Sequence, residues 1–178
     1  LDVDKFNTGN VCDMSYMFSD CNNLRLLDVS GFKTANVTDM SKMFEGCASV
    51  EELNVKSFNT AKVTKMDGMF ANCTALHTIL ANATDNWAKT NPSMSGMFAS
   101  DKALVGIGTD NTFCKYADGE DYPNVCRGGK GYFTADNIHI ITFDDNNGGA
   151  QTFQSVSSVS VVPVKLNANE FNNPGYLS

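Results

Sequence analysis

The chain has two Arg, two His, four Pro and no run of Lys or Arg in 178 residues, and its formal charge is -7. A protein that grips a phosphate backbone needs clustered cations to displace counterions, and nothing here supplies them. Nucleic acid is therefore a poor partner. No apolar stretch approaches the ~20 residues that a membrane-spanning helix requires, and Leu1 opens neither a basic n-region nor an apolar h-region. Because the chain begins without Met, it reads as a processed or excised fragment whose export signal or anchor would lie outside it. His77 and His139 have no His-x-x-x-His or Cys-x-x-Cys partner, which argues against a metal centre or a catalytic dyad. No cofactor, no metal and no enzymatic activity are expected.

What the chain has in quantity is methionine and phenylalanine, eight and twelve. All eight Met fall in four pairs: MSYMF at 14–18, MSKMF at 40–44, MDGMF at 66–70 and MSGMF at 94–98. The first two steps are 26 residues and the third is 28. The match extends to whole units, LDVDKFNTGNVCDMSYMFSDCNNL, LDVSGFKTANVTDMSKMFEGCASV and LNVKSFNTAKVTKMDGMFANCTAL. A fourth, degenerate copy keeps MSGMF, loses the Phe and gains two residues near Asn91-Pro92, as a closing repeat does.

Within each unit the period changes. Leu24-x-x-Leu27-x-Val29 recurs as Val50-x-x-Leu53-x-Val55 and Leu76-x-x-Ile79-x-Ala81, the alternation of a short strand and the strand signature of leucine-rich repeats. Where that pattern carries Asn or Cys at the following bend, this chain has Phe32 and Phe58, so the bend must be organised by packing and by backbone bonds of its own. Val37, Met40, Met43, Phe44 and Cys47 then share one face of a 3.6-residue period, which predicts a short helix ending at Gly46. Stacked copies would put Phe18, Phe44, Phe70 and Phe98 in one internal column, and Leu104 to Ile107 add a fifth strand in register.

Thioethers suit soft metals, but Met pairs that repeat with the unit fill a core rather than converge on a point. Cys21, Cys47 and Cys73 share the 26-residue step and read as a column of small buried side chains; Asp101 takes that place in the fourth unit, where the stack is expected to meet water. Cys114 and Cys126 lie beyond the repeats, and a bridge between them and a pair of free thiols are both open, the bridge requiring an exported protein. Asp118, Glu120 and Asp121 lack the ligand spacing of a calcium loop.

The units built on LDVSGFKTANVTDMSKMFEGCASV closely resemble the BspA-like leucine-rich-repeat surface proteins of bacteria, over roughly residues 1–107. The following segment, ending GGKGYFT at 128–134, is similar to the tail that often closes such arrays. From IHIITFDDNNGGAQTF through VPVKLNANEFNNPGYLS, the chain resembles the Listeria-Bacteroides, or internalin B-type, repeat, a small β-grasp-like module that here stops before its aromatic-Gly-Trp strand. Together these imply an α/β leucine-rich-repeat-like solenoid of short parallel strands and short helices over 1–107. A capping or linker segment would occupy 108–135, and a partial β-grasp-like module 136–178.

The same resemblance implies a non-catalytic, adhesin-like module at the cell surface or secreted, monomeric, whose partner is an extracellular protein or glycan. The ligand-binding strip would be the outward strand positions. These are Asp2 and Asp4, then Leu26, Asp28 and Ser30, then Glu52, Asn54 and Lys56, and last Thr78, Leu80 and Asn82. The alternative is a structural spacer that displays another domain of a longer surface protein.

Overall fold

The structure, a computed structural model, describes residues 3, 5–82, 87, 89–107, 113–115, 117, 123, 131–135, 138–143 and 152–157. Strands β1 (Glu52–Asn54) and β2 (Thr78–Ala81) run parallel, with Glu52 opposite Thr78 and Asn54 opposite Leu80. The step is the 26 residues of the sequence repeat, so each strand occupies the same place in its own coil. Alternation holds: Leu27, Val29, Leu53, Val55, Ile79 and Ala81 are buried.

The segment expected to be helical is not. Among the described residues there is no helix, and MSKMF and its sisters form successive tight turns. The N–H groups of Met43, Glu45 and Cys47 bond three residues back, to Met40, Lys42 and Phe44. Those of Met40, Lys42, Phe44 and Gly46 bond instead to the next coil, at the carbonyls of Lys65, Asp67, Met69 and Ala71. The same exchange joins coil one to two and three to four, and bridges Asp13, Asp39, Lys65 and Ser93 in parallel. A helix would close those N–H groups on its own fourth-preceding carbonyl. Left-handed residues enforce the break at two places per unit: Tyr16, Lys42, Gly68 and Gly96 at the first, and Asp20, Gly46, Asn72 and Ser100 at the second. Periods of 3.0 and 3.6 place Met40, Met43, Phe44 and Cys47 on the same side, which is why spacing alone pointed to a helix.

The turns set up a close-packed interior. Phe18, Phe44, Phe70 and Phe98 stack nearly parallel at centroid spacings of 5.7, 5.6 and 5.6 Å. A second file runs along the bend, where Phe6 packs on Phe32 and Phe58 packs on Trp87. Trp87, the chain's single Trp, thus fills the bend position whose Phe the fourth unit lacks. The bend's polar groups are met by threonine. Thr8 Oγ1 accepts the Lys33 N–H and donates to the Lys33 carbonyl, and Thr34 does the same at Asn59. One hydroxyl, donor and acceptor at once, closes two backbone groups of the next coil, and Thr8, Thr34 and Thr60 are all buried.

The far end is built differently. β3 (Val105–Ile107) pairs antiparallel with β4 (Phe113–Lys115) rather than extending the parallel ladder, and reaches β2's coil through the Val105 N–H on the His77 carbonyl. The place beside β2 goes to β5 (Thr134–Ala135), which pairs parallel with Leu80 and Ala81. Phe133 packs edge-on against Phe70, Trp87 and Phe98, and Tyr132 against Phe98. Tyr132 and Phe133 therefore seal the aromatic files. Strand β3 approaches it so closely that a Cβ on Gly106 would sit 2.5 Å from the Gly131 carbonyl oxygen and 2.9 Å from Tyr132 Cα. Because both are backbone atoms, Gly106→Ala is expected to lose about 2–3 kcal/mol in urea denaturation. A variant as stable as the parent would contradict this contact.

Beyond it, β6 (Ile138–Phe143) and β7 (Thr152–Ser157) form an antiparallel pair, Ile138 opposite Ser157 and Phe143 opposite Thr152. The rest of the expected 136–178 module, including Asn173-Pro174-Gly175-Tyr176, lies outside the described residues.

Candidate interaction surface

Along the outward side of the first two strand segments lies an open cleft of about 760 Å³, lined by Arg25, Leu26, Asp28, Ser30, Glu51, Glu52, Asn54 and His77 with Leu27 at its floor. Asp28, Ser30, Glu52 and Asn54 of the expected strip thus come together at one place. Lys56 and Asn82 are half-buried, and Thr78 is buried, its hydroxyl within 3.0 Å of His77 Nδ1. Thr78 is thereby withdrawn from the exposed strip. Asp2 and Asp4 lie outside the described residues.

Three of the lining groups, Arg25, Glu51 and His77, stand outside the expected strip. They sit at the end where the chain enters each strand, and their alternation with the inward residues is less regular. His77 Nε2 is 3.9 Å from Glu51 Oε2, at the far limit of an ion pair. Asp28 folds back on its own turn. The Ser30 hydroxyl, and then the Ser30 N–H at 2.9 Å, hold its carboxyl below the usual carboxylate range, so it is ionised throughout the neutral range. Leu26 is 84% exposed, an apolar group on an otherwise polar rim.

The backbone at this cleft is also unusual. The turn and bend segments of the first two coils are bonded to each other, yet Arg25, Leu26, Leu27 and Asp28 make no backbone hydrogen bond to β1. Within its sheet, β1 is an edge strand.

The cysteine column is packing. Cys47 Sγ donates to the Phe18 carbonyl at 3.2 Å and Cys73 Sγ to the Phe44 carbonyl at 3.1 Å. Burial, with Cys21 beside it, pushes the Cys47 thiol up to about 12, and burial followed by Asp101 raises Cys73 further. Thiols held in that form are poor nucleophiles. Iodoacetamide is expected to label Cys12 and Cys21 in the folded chain while sparing Cys47 and Cys73, as read by mass spectrometry. Labelling of all four at equal rates would contradict the packing. Cys114 is disulfide-bonded, whereas Cys126 lies outside the described residues.

Asp101 does not meet water as the end of the column was expected to. It is fully buried; Oδ1 accepts the Cys73 N–H at 2.9 Å, and Oδ2 has no partner among the described residues. Burial pushes its carboxyl up to about 8, only partly offset by the Cys73 N–H. The end of the stack is covered by β3 and by Tyr132 and Phe133.

Among the described residues no three His, Cys, Asp or Glu side chains gather as metal ligands, and no helix is long and apolar enough to cross a membrane. Residues 1–107 match the model of a family described as "Mycoplasma protein of unknown function, DUF285". No curated protein and no solved structure matches the chain.

Proposed function

Because the chain belongs to the DUF285 family through residues 1–107, we propose that it is a non-catalytic interaction module of a BspA-like surface protein. In this reading the repeats form a leucine-rich-repeat-like solenoid, and residues 136–178 belong to an internalin B-type, β-grasp-like module. The protein works at the cell surface or after secretion, as a monomer. It binds an extracellular protein or glycan through the outward side of its strands.

The observation that carries the reading is the cleft of about 760 Å³ over Asp28, Ser30, Glu52 and Asn54, where polar side chains, an exposed Leu26 and unused backbone converge. Concave ground between coils is where repeat arrays offer extended binding surface. The Cys114 disulfide supports an oxidising compartment.

Immobilised matrix proteins are the direct test. Asp28→Lys combined with Asn54→Lys is expected to lower binding at least tenfold at low salt, with a smaller difference at high salt, since exposed charges are screened beyond ~10 Å at 0.1 M. Equal binding by parent and double variant at both salt concentrations would exclude this surface.

A further inference from the structure

We propose that β5, with Tyr132 and Phe133 ahead of it, is a displaceable strap whose seating on the end of the array is controlled by protonation of Asp101. The proposal stands apart from the interaction role above and concerns the opposite end of the repeats.

β1 fills one edge of β2, and two segments divide the other. Val105 begins a parallel ladder there, its N–H on the His77 carbonyl at 3.1 Å. In such a ladder every second residue turns to the same neighbour, so the next step would carry the Ile107 N–H to the Ile79 carbonyl, at the same 28-residue offset. That step is not taken. The Ile107 N–H is instead 3.2 Å from Thr134 Oγ1, and β5 holds the place beside Leu80 and Ala81. β5 has only two residues, so little backbone pairing seats it. When it lifts, β3 can continue along β2, and the edge is paired in either arrangement.

The seated arrangement carries a cost that the inner coils do not. Among the described residues, two buried side-chain polar atoms lack a hydrogen-bond partner, Trp87 Nε1 and Asp101 Oδ2. Both belong to this end. Trp87 packs edge-on against Phe133 at 4.8 Å, and the Asp101 N–H donates to the carbonyl of Phe98, whose ring lies against Tyr132 and Phe133. In coils two and three the place of Asp101 is a cysteine whose thiol donates to a Phe carbonyl of the preceding coil. A protonated carboxyl can donate as those thiols do, whereas a carboxylate cannot. Lifting the strap gives the carboxylate water.

Burial raises the Asp101 carboxyl to about 8 beneath the strap, against an ordinary value of 3.8. The closed form therefore holds its proton longer, and its advantage is full at low pH and lost as pH rises. The opening constant should grow about tenfold per pH unit between about pH 4 and 8 and level off above. Other groups at this corner do not titrate against it. Cys73 faces the carboxyl with Cys47 and Glu45 behind, and burial raises both thiols, which stay neutral over this range. Among the described residues of the closure, Lys102 and Lys115 are exposed, the Tyr132 hydroxyl accepts the Ala117 N–H, Cys114 is disulfide-bonded, and His77 is engaged with Glu51.

Trp87, the chain's single Trp, reports on the strap directly. The test follows its emission and acrylamide quenching in the full chain from pH 5 to 9. Amide exchange, corrected for intrinsic rate, is read at Thr134 and Ala135 and at Phe44, whose N–H lies within the array on the Met69 carbonyl. As pH rises to 8, emission should move to the red and quenching increase. The β5 amides should exchange about a hundredfold faster than Phe44 at each pH, as a locally opening segment does, and should speed up about tenfold per pH unit. Asp101→Asn is expected to flatten these profiles. Asp101→Cys, which restores the residue of the other coils, should do the same and decides the matter if Asp101→Asn does not fold. Thr134→Val removes the hydroxyl that holds Ile107 only in the seated arrangement. It should speed β5 exchange about fivefold at every pH, the worth of one hydrogen bond, and leave the pH dependence intact.

β5 amides that exchange no faster than Phe44 would mean that the end opens only with the whole fold, which overturns the strap. Profiles for Asp101→Asn or Asp101→Cys that run parallel to the parent's overturn control by Asp101.

Discussion

The Asp101→Asn variant is expected to be markedly more stable than the parent at pH 8 and no more stable at pH 4, with the difference growing across that interval. Burial sets the sign. In the folded chain the carboxyl titrates at about 8, whereas an unfolded Asp titrates near its ordinary value of 3.8. Between those values the folded state holds a proton that the unfolded state has released, so each rise in pH favours unfolding. The parent's contribution from this group is intact below about pH 4 and lost progressively toward pH 8. At roughly 1.4 kcal/mol per pH unit, the loss by pH 7 is on the order of 4 kcal/mol. Asparagine keeps an oxygen for the Cys73 N–H and cannot ionise, so its stability should be flat there. The other shifted carboxylates do not confuse the reading. Asp13, Asp28 and Asp39 are all lowered, and their linkage acts below pH 4 with the opposite sign. Urea denaturation at pH 4.5, 6, 7 and 8 makes the comparison, and parallel profiles for parent and variant would show that Asp101 is not buried as described.

Phe44→Ala should be the most damaging change within the repeats, at about 3–5 kcal/mol. The ring is fully buried and stacks on Phe18 at 5.7 Å and on Phe70 at 5.6 Å. Truncation leaves a cavity walled by two flat neighbours whose backbones are bonded to adjacent coils, so neither can close it. Each lost aromatic pair adds about 0.5–1.5 kcal/mol to the area term. Phe6→Ala is the control, because Phe6 is 50% exposed and has one stacked partner, Phe32. Thermal melting should fall by roughly 10 °C for Phe44→Ala and only a few degrees for Phe6→Ala. Equal losses would mean that the column is not a continuous core. Since that core spaces the coils, the outward cleft should lose its shape together with it.

The repeat could be read from sequence because burial there is periodic. A position that faces the interior in one coil faces it in the next, and the apolar residues recur at 26 residues. The turn was misread as helix for a related reason. Spacing reports which side chains share a side, not which carbonyl an N–H reaches. The threonine bonds at the bend left a signal that passed unread: Thr8, Thr34 and Thr60 each stand two places after the bend Phe. Trp87 left a fainter one, being the only large aromatic near a place where a Phe was missing.

At the cleft, Asp28, Glu52 and Asn54 follow from strand alternation alone, whereas Arg25, Glu51 and His77 do not. The latter enter because neighbouring repeats lie side by side there, a relation between coils that no local pattern encodes. Thr78 shows the reverse case, an outward position by alternation that is buried in the folded chain.

By itself the sequence determined the repeat, its four copies and the inward columns of Met, Phe and Cys in the inner repeats, since these depend on side-chain hydrophobicity at a fixed period; Met17 is exposed, and Met94 and Cys21 are only half-buried, toward the ends of the columns. Only the tertiary structure decided which backbone groups join successive coils, that Asp101 is sealed rather than solvated, and that the outward strip opens into a cleft. Each of those depends on what lies against a residue from a distant part of the chain, and hydrogen bonding and desolvation are set there.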